Sequence, residues 1–327
     1  MSDSKIHDLQ QAHELDAEAS ILMEEAMHLL EQQRPDAATD ALACVDRALA
    51  LRSRLPFESV PLFRDGLAAC WLNRAEALMQ SGDATRVADA LRSYDEGIAL
   101  LRRLPLGEDP RYARRFALAH QNRALVLMVL DRSHIHEAIV AFRSALAVLD
   151  LDEAAAVPDR EYLQAAIWLN LANAQLFDSS DAGVIAVRRA AHNALSLVSA
   201  LEAEDADAAE VGMKARLVMC HVLASRLSAP EGGRARAEDV HDATDAVDEG
   251  LGLARRWEQQ GVDRFRGLAS DLFRFGARVY AAYQPQFLEE FVTEMLDPAE
   301  SSSAFVESPE MRAAAEEADR LLDGVRS

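Results

Sequence analysis

The sequence predicts an all-α protein built as an α-solenoid, a stack of antiparallel helix pairs. Three observations carry that prediction. Half of the 327 residues are hydrophobic but only 6% are aromatic, and Gly (14) and Pro (10) stand well below their usual share, which leaves little material for strands and tight loops. An apolar motif recurs about every 49 residues, and a second motif keeps nearly the same period between its copies. A period of that length marks a repeat architecture, in which each unit buries its apolar face against its neighbours.

The first motif is an apolar stretch centred on alanine. Residues 71–79 read WLNRAEALM, 120–128 HQNRALVLM and 168–176 WLNLANAQL, with Ala75, Ala124 and Ala172 at the centre, 49 and then 48 residues apart. The same spacing reaches back to Ala26 and forward, after 52 residues, to Ala224; Ala277 centres a weaker copy. The second motif places a small or β-branched residue, an apolar one four later and a small one three beyond that. Its copies are Ala41, Val45, Ala48; Ala90, Tyr94, Gly97; Ala138, Phe142, Ala145; Val187, Ala191, Ala194; and Ala243, Val247, Gly250. Two helices approach to about 8 Å only where the crossing carries little side chain. These small residues are therefore expected at helix crossings.

Punctuation sets the elements in order. Pro61, Pro110 and Pro158 each lie 14 residues before a central alanine, where proline suits the first turn of a helix. Asp207 and Asp263 are the expected N-caps of later units. A first helix from Pro61 to Gln80, a turn at Ser81, Gly82 and Asp83, and a second helix reaching Leu104 ahead of Pro105 make one unit. The expected layout is a tail at 1–11, a solenoid at 12–296 with five clear units and a degenerate sixth, a linker at 297–310 containing Ser301, Ser302 and Ser303, and a C-terminal helix at 311–327 that covers the last repeat. The fifth unit carries an insertion around Pro230, Gly232 and Gly233.

Trp71 with Ala75, Gly82 with Asp83, and then Ala90, Tyr94 and Gly97 resemble, in order, the tetratricopeptide repeat (TPR) family; so do Trp168 with Ala172, and Ala138, Phe142, Ala145. The resemblance implies a right-handed superhelix whose concave wall is lined by the first helices and binds peptides. The period exceeds the family's roughly 34 residues, and HEAT-type repeats of about 40 to 47 are the alternative on length alone. Either is an α-solenoid.

In such an array the residues two before and one after the small position face the groove. Here these are Asn73, Asn122 and Asn170, and Glu76, Leu125 and Asn173. An amide both donates and accepts, which suits the backbone of an extended peptide. Leu72, Met128 and Phe177, with Met79 and Leu169, are the expected apolar pockets, while Trp71 and Trp168 are expected in the core.

With 34 basic and 55 acidic side chains the formal charge is -21, which argues against nucleic acid and anionic membranes as partners and favours a basic protein segment. No run of apolar residues is long enough to cross a bilayer, and the N-terminus lacks the apolar core of a secretory signal, so a cytoplasmic location is expected. Cys44, Cys70 and Cys220 have no CxxC spacing and read as buried free thiols. There is no phosphate loop, GxGxxG, HExxH or GxSxG. Glu25 with His28 and Glu238 with His241 have ligand-like spacings but lie in repeats one and five, far apart in a stacked array, and are expected from chance; His134 and His136 read as a solvated loop. No metal, cofactor or catalytic residue is therefore expected. The resulting expectation is a non-enzymatic interaction scaffold that binds a peptide or protein segment in its groove, with a ligand-responsive regulatory module as the alternative.

Overall fold

The computed structural model describes residues 3–178, 180–227, 237–297 and 302–326, with side chains at 10–178, 180–222, 239–297, 302 and 304–326. The chain is all-α: the described residues form fourteen α-helices and three short 3-10 turns, and no strand occurs among them. No described helix is long and apolar enough to cross a membrane. The chain divides into two compact units, 1–160 and 161–327.

The first unit holds α1 (Asp3–Glu31), α2 (Pro35–Arg52), α3 (Pro61–Gln80), α4 (Val87–Leu101), α5 (Pro110–Leu130) and α6 (Ile135–Leu149). They pack as the pairs α1/α2, α3/α4 and α5/α6; α2 also lies on α3, and α4 on α5. The first helices of successive pairs touch as well, α1 with α3 and α3 with α5. Residues 3–11, expected as a tail, continue the first helix.

The central alanines of the first motif and all three positions of the second are buried in this unit. Ala26, Ala75, Ala124, Ala41, Val45, Ala48, Ala90, Ala138, Phe142 and Ala145 are all 0% exposed. Burying Phe142 alone is worth about 1.5–3 kcal/mol. Gly97 marks the closest approach, since a Cβ there would lie 2.7 Å from Leu72 Cδ2.

Pro61 and Pro110 begin α3 and α5, and Gly82 ends the α3 turn with φ +69, a left-handed conformation that only glycine adopts without strain. The following turn recurs. Asp83 Oδ1 accepts the Thr85 amide at 2.9 Å and Asp131 Oδ1 accepts the Ser133 amide at 2.7 Å, each opening a 3-10 turn. The Thr85 and Ser133 hydroxyls, which donate to the same carboxylates, and then these amide bonds hold both carboxyls below the usual range. The second helix α4 stops at Leu101 rather than Leu104, because residues 102–104 close it in a turn.

Charged side chains stitch one pair to the next. Arg74 on α3 reaches back to Asp46 on α2 (2.9 Å), and Arg123 on α5 reaches back to Asp95 on α4 (2.7 Å), with the same 28-residue separation. Arg52, 8% exposed, joins three helices: Nε donates to Asp16 Oδ1 at 2.9 Å, Nη2 to Ser20 Oγ at 3.0 Å and Nη1 to the Gly66 carbonyl at 2.9 Å.

The second unit holds α7 (Arg160–Gln175), α8 (Asp181–Val198), α9 (Ala206–Leu227), α10 (Ala237–Gln259), α11 (Arg266–Tyr283), α12 (Pro285–Met295), α13 (Ser303–Val306) and α14 (Pro309–Arg326). Successive helices from α8 to α12 pack on one another, and α9 also meets α11. Here too the small motifs are buried: Ala172, Ala191 and Ala194 are 0% exposed, Val187 and Ala277 1%, Ala243 2% and Val247 0%. The Ala224 side chain, the insertion around Pro230 and the Glu238 side chain lie outside the described residues.

Three start signals differ from expectation. α7 begins at Arg160, two residues beyond Pro158, after Asp159 adopts φ +53. The cap of α9 is Asp205, whose Oδ1 accepts the amides of Asp207 and Ala208 at 2.8 and 3.0 Å, so Asp207 already lies inside the helix. Asp263 is not the side-chain cap of α11; it offers its carbonyl to the Arg266 amide at 3.2 Å and its carboxylate to the Arg266 guanidinium. The expected linker contains α13, with Phe305 1% exposed. The C-terminal helix α14 starts at Pro309, and lies on α11 and α12 through Met311, Ala314 and Ala318, all 0% exposed.

Candidate functional site

In the first unit the expected site residues fall on adjacent helices, α3 and α5. Asn73 and Asn122 are half-buried, while Glu76 and Leu125 one residue past the buried alanines are exposed. Met27 occupies the same register on α1 and is 54% exposed, and Val129, four residues past Leu125, is 73% exposed. Asn122 has an internal role as well: its side chain bonds the hydroxyl of Tyr94, whose pKa is pushed well up by burial and by nearby Glu76. The residues equivalent to Tyr94 in the neighbouring pairs are Val45 and Phe142, so this tie is special to one repeat.

Leu72 is half-buried on α3. It packs with Ala75, Ala90 and Tyr94 and covers Gly97, so its side chain is spent on the α3/α4 crossing. Met79 packs in the same cluster, and Met128 is half-buried on α5. Trp71 is half-buried rather than core, with the Arg74 guanidinium 5.9 Å from its ring centre. Arg74 and Arg123 face acids on the preceding helix and are thereby withdrawn from any peptide-clamping role.

In the second unit Asn170 and Asn173 are half-buried on α7, Phe177 beyond its end is 51% exposed, and Leu169 is core at 6%. Trp168 is half-buried. Of the cysteines, Cys70 and Cys220 are buried, but Cys44 is only partly so. Burial and, for Cys44, the neighbouring Glu25 raise all three thiols, which disfavours the reactive thiolate.

His120 occupies the register of Trp71 and Trp168 on α5. Its ring lies 4.9 Å from that of Phe116, and burial, with Arg102 and Arg123 adding to it, pushes its pKa down to about 4. The unfolded chain takes up a proton near the ordinary value of 6.5, the folded one near 4, so protonation favours unfolding in that window. Stability is whole above pH 7 and falls as the pH drops from about 6.5 towards 4. In thermal melts across that range, His120→Phe should lose less stability than the parent, by about 1–2 kcal/mol once solvent screening is allowed for. Parallel curves for the two proteins would remove His120 as the cause.

Sequence reasoning missed a cleft in the second unit. It has a volume of about 490 Å³ and lies among α10, α11 and α12. α12 gives it Phe287, Glu290, Phe291, Glu294 and Met295, one helical stripe at i, i+3, i+4, i+7 and i+8; α10 gives Asp248, Gly252 and Arg255; Tyr280 comes from α11 and Gln284 from its end. The signal was present in that stripe, which alternates aromatic and acidic side chains along one face. It was obscured because the segment carries no copy of the repeat motif. Asp248 keeps an exposed side chain, yet desolvation by the surrounding protein, with Glu294 and Asp245 near by, pushes its pKa up to about 6. Burial and the same acids push Tyr280 up to about 12.

No protein-family model matches the sequence, and no curated protein matches it significantly. Among solved structures the chain is similar to the nuclear import adaptor Nro1 of S. pombe, with a TM-score of 0.53 at 15% identity over 94% of this chain and 99% of that one. A second structure, described as the hypoxic regulator of sterol synthesis Nro1, a nuclear import adaptor, gives 0.50 at 14% identity with the same coverage. The likeness at that level of identity is one of fold: this chain shares the helical architecture of those proteins along nearly its whole length.

Proposed function

We propose that the protein is a non-enzymatic, cytoplasmic adaptor of TPR-like build that binds a peptide or protein segment on the first-helix face of its N-terminal unit. The observation that carries this reading is the register shared by α1, α3 and α5. Each first helix buries its central alanine and turns the next residue, Met27, Glu76 or Leu125, into solvent. The exposed apolar side chains of α1 and α5, with Glu76 of α3 between them and the amides of Asn73 and Asn122 beside them, form a surface that can take an extended segment by apolar contact and hydrogen bonds to its backbone. The adaptor role described for the structurally similar Nro1 accords with this reading.

Asn122 is a poor probe because it also serves Tyr94. The exposed pair is better. Leu125→Asp with Val129→Asp should leave the melting temperature within about 2 °C of the parent, since surface changes are usually within ±0.5 kcal/mol. The same double variant should lose at least one partner that the parent retains in affinity capture from native cells. An unchanged set of partners would place binding elsewhere.

A further inference from the structure

We propose that the cleft among α10, α11 and α12 receives the cationic side chain of a basic peptide segment, arginine or lysine, from a partner protein. The proposal rests on the reading of the chain as a protein-binding module but uses a different surface from the α1, α3 and α5 face.

The cleft is built before any ligand arrives. Phe291 forms its floor, stacked on Phe273 with ring centres 5.4 Å apart and packed 4.7 Å from Tyr280. It can sit there because residue 276 is glycine: a Cβ at Gly276 would come within 2.6 Å of Phe291 Cζ and 2.8 Å of Val247 Cγ1. Phe287, 47% exposed, stands at the mouth. Aromatic faces of this kind attract a cation laid against them.

The charge of the cleft is lopsided. Asp248 faces it from α10, and Glu290 and Glu294 from α12, with Asp245 near by; among the described residues Arg255 is the one cation of the lining, and its guanidinium, which partly offsets the acids at Asp248, is turned onto the Met295 sulfur. A carboxylate crowded by other acids is costly to ionise, and an incoming guanidinium or ammonium would relieve that cost. The formal charge of -21 would draw a basic segment from a distance.

Gly252 supplies a third argument. It sits inside the long helix α10, where glycine costs about 0.5–1 kcal/mol relative to alanine. Its φ is not left-handed, and a Cβ there would meet nothing within 4 Å, so neither backbone nor packing requires it. What the missing side chain does is leave the wall of the cleft open. A volume of about 490 Å³ accommodates one long side chain with its flanking backbone.

The test uses the full chain and three fluorescent probes read by anisotropy: a glycine-spaced triple-arginine hexapeptide, the same peptide with citrulline for arginine, and labelled arginine amide. The arginine peptide should bind at physiological salt at least tenfold more tightly than either of the other probes. Gly252→Leu, which fills the space without a clash, and Glu290→Gln with Glu294→Gln should each weaken it at least tenfold with unchanged melting. Glu14→Gln with Glu18→Gln, exposed acids on α1, should leave it within twofold. Affinity should rise as the pH passes upward through about 6, where Asp248 ionises, and Asp248→Asn should flatten that rise. Equal binding of the citrulline peptide, equal loss from the α1 variant, or no arginine-peptide binding overturns the proposal. Arginine amide binding as tightly as the peptide overturns the commitment to a protein partner. Peptide binding that ignores the cleft variants refutes this site but leaves the adaptor reading standing, whereas failure of the Leu125 and Val129 capture experiment touches that reading alone.

Discussion

Arg216→Met should destabilise the protein by about 3–5 kcal/mol, the cost of leaving one member of a buried ion pair uncompensated. Arg216 on α9 is 7% exposed and Glu202, in the turn before it, 6%. The guanidinium donates to both Glu202 carboxylate oxygens, at 2.6 and 3.1 Å, and to Glu249 on α10 at 3.1 Å. The Glu202 carbonyl meanwhile accepts the Trp257 indole N–H at 2.9 Å, so the turn between α8 and α9 is held from two sides. Gly212 makes room for the arrangement, because a Cβ there would lie 1.6 Å from Glu202 Oε1. The pair variant Arg216→Met, Glu202→Leu removes both charges and should recover most of the loss. Denaturant unfolding followed by circular dichroism gives both numbers. A single variant within 1 kcal/mol of the parent would mean that water reaches Glu202 and the pair is not truly buried.

Ala124→Glu should be comparably damaging. Ala124 is 0% exposed at the centre of the first-helix motif of α5, and the longer side chain adds an overpacking cost of about 1–3 kcal/mol to that of an unpaired buried carboxylate. Leu125→Glu, one residue on, points outward at 37% exposure and is the control. The first should melt far below the parent and the second close to it. Similar melting of both would mean that the register of α5 is rotated.

The fold was legible because size is selected wherever helices cross. The alanines at 26, 75, 124 and 172 and the triplets such as Ala138, Phe142, Ala145 carry that constraint in the residues themselves, so their periodicity marks the buried crossings directly. Boundaries were less legible. Pro158 has the spacing of Pro61 and Pro110, yet the backbone first passes through a left-handed Asp159, and Asp205 competes with Asp207 for the α9 cap. The surface was harder still. Asn73 and Asn122 occupy one sequence position, but only Asn122 faces a tyrosine hydroxyl, a difference set by the partner helix rather than by the motif. The α10–α12 cleft forms where α12, which carries no copy of the motif, meets two helices that do, and the repeat pattern alone does not announce that meeting.

The paired ties Asp46–Arg74 and Asp95–Arg123 have a mechanical consequence. Each crosses from one helix pair to the next, and in each the acid is about half exposed, at 49% and 57%. Dissolved ions therefore weaken the seams while barely touching the apolar crossings within a pair. The charged share of the hold between successive pairs, unlike the apolar packing, therefore follows the ionic strength of the surroundings.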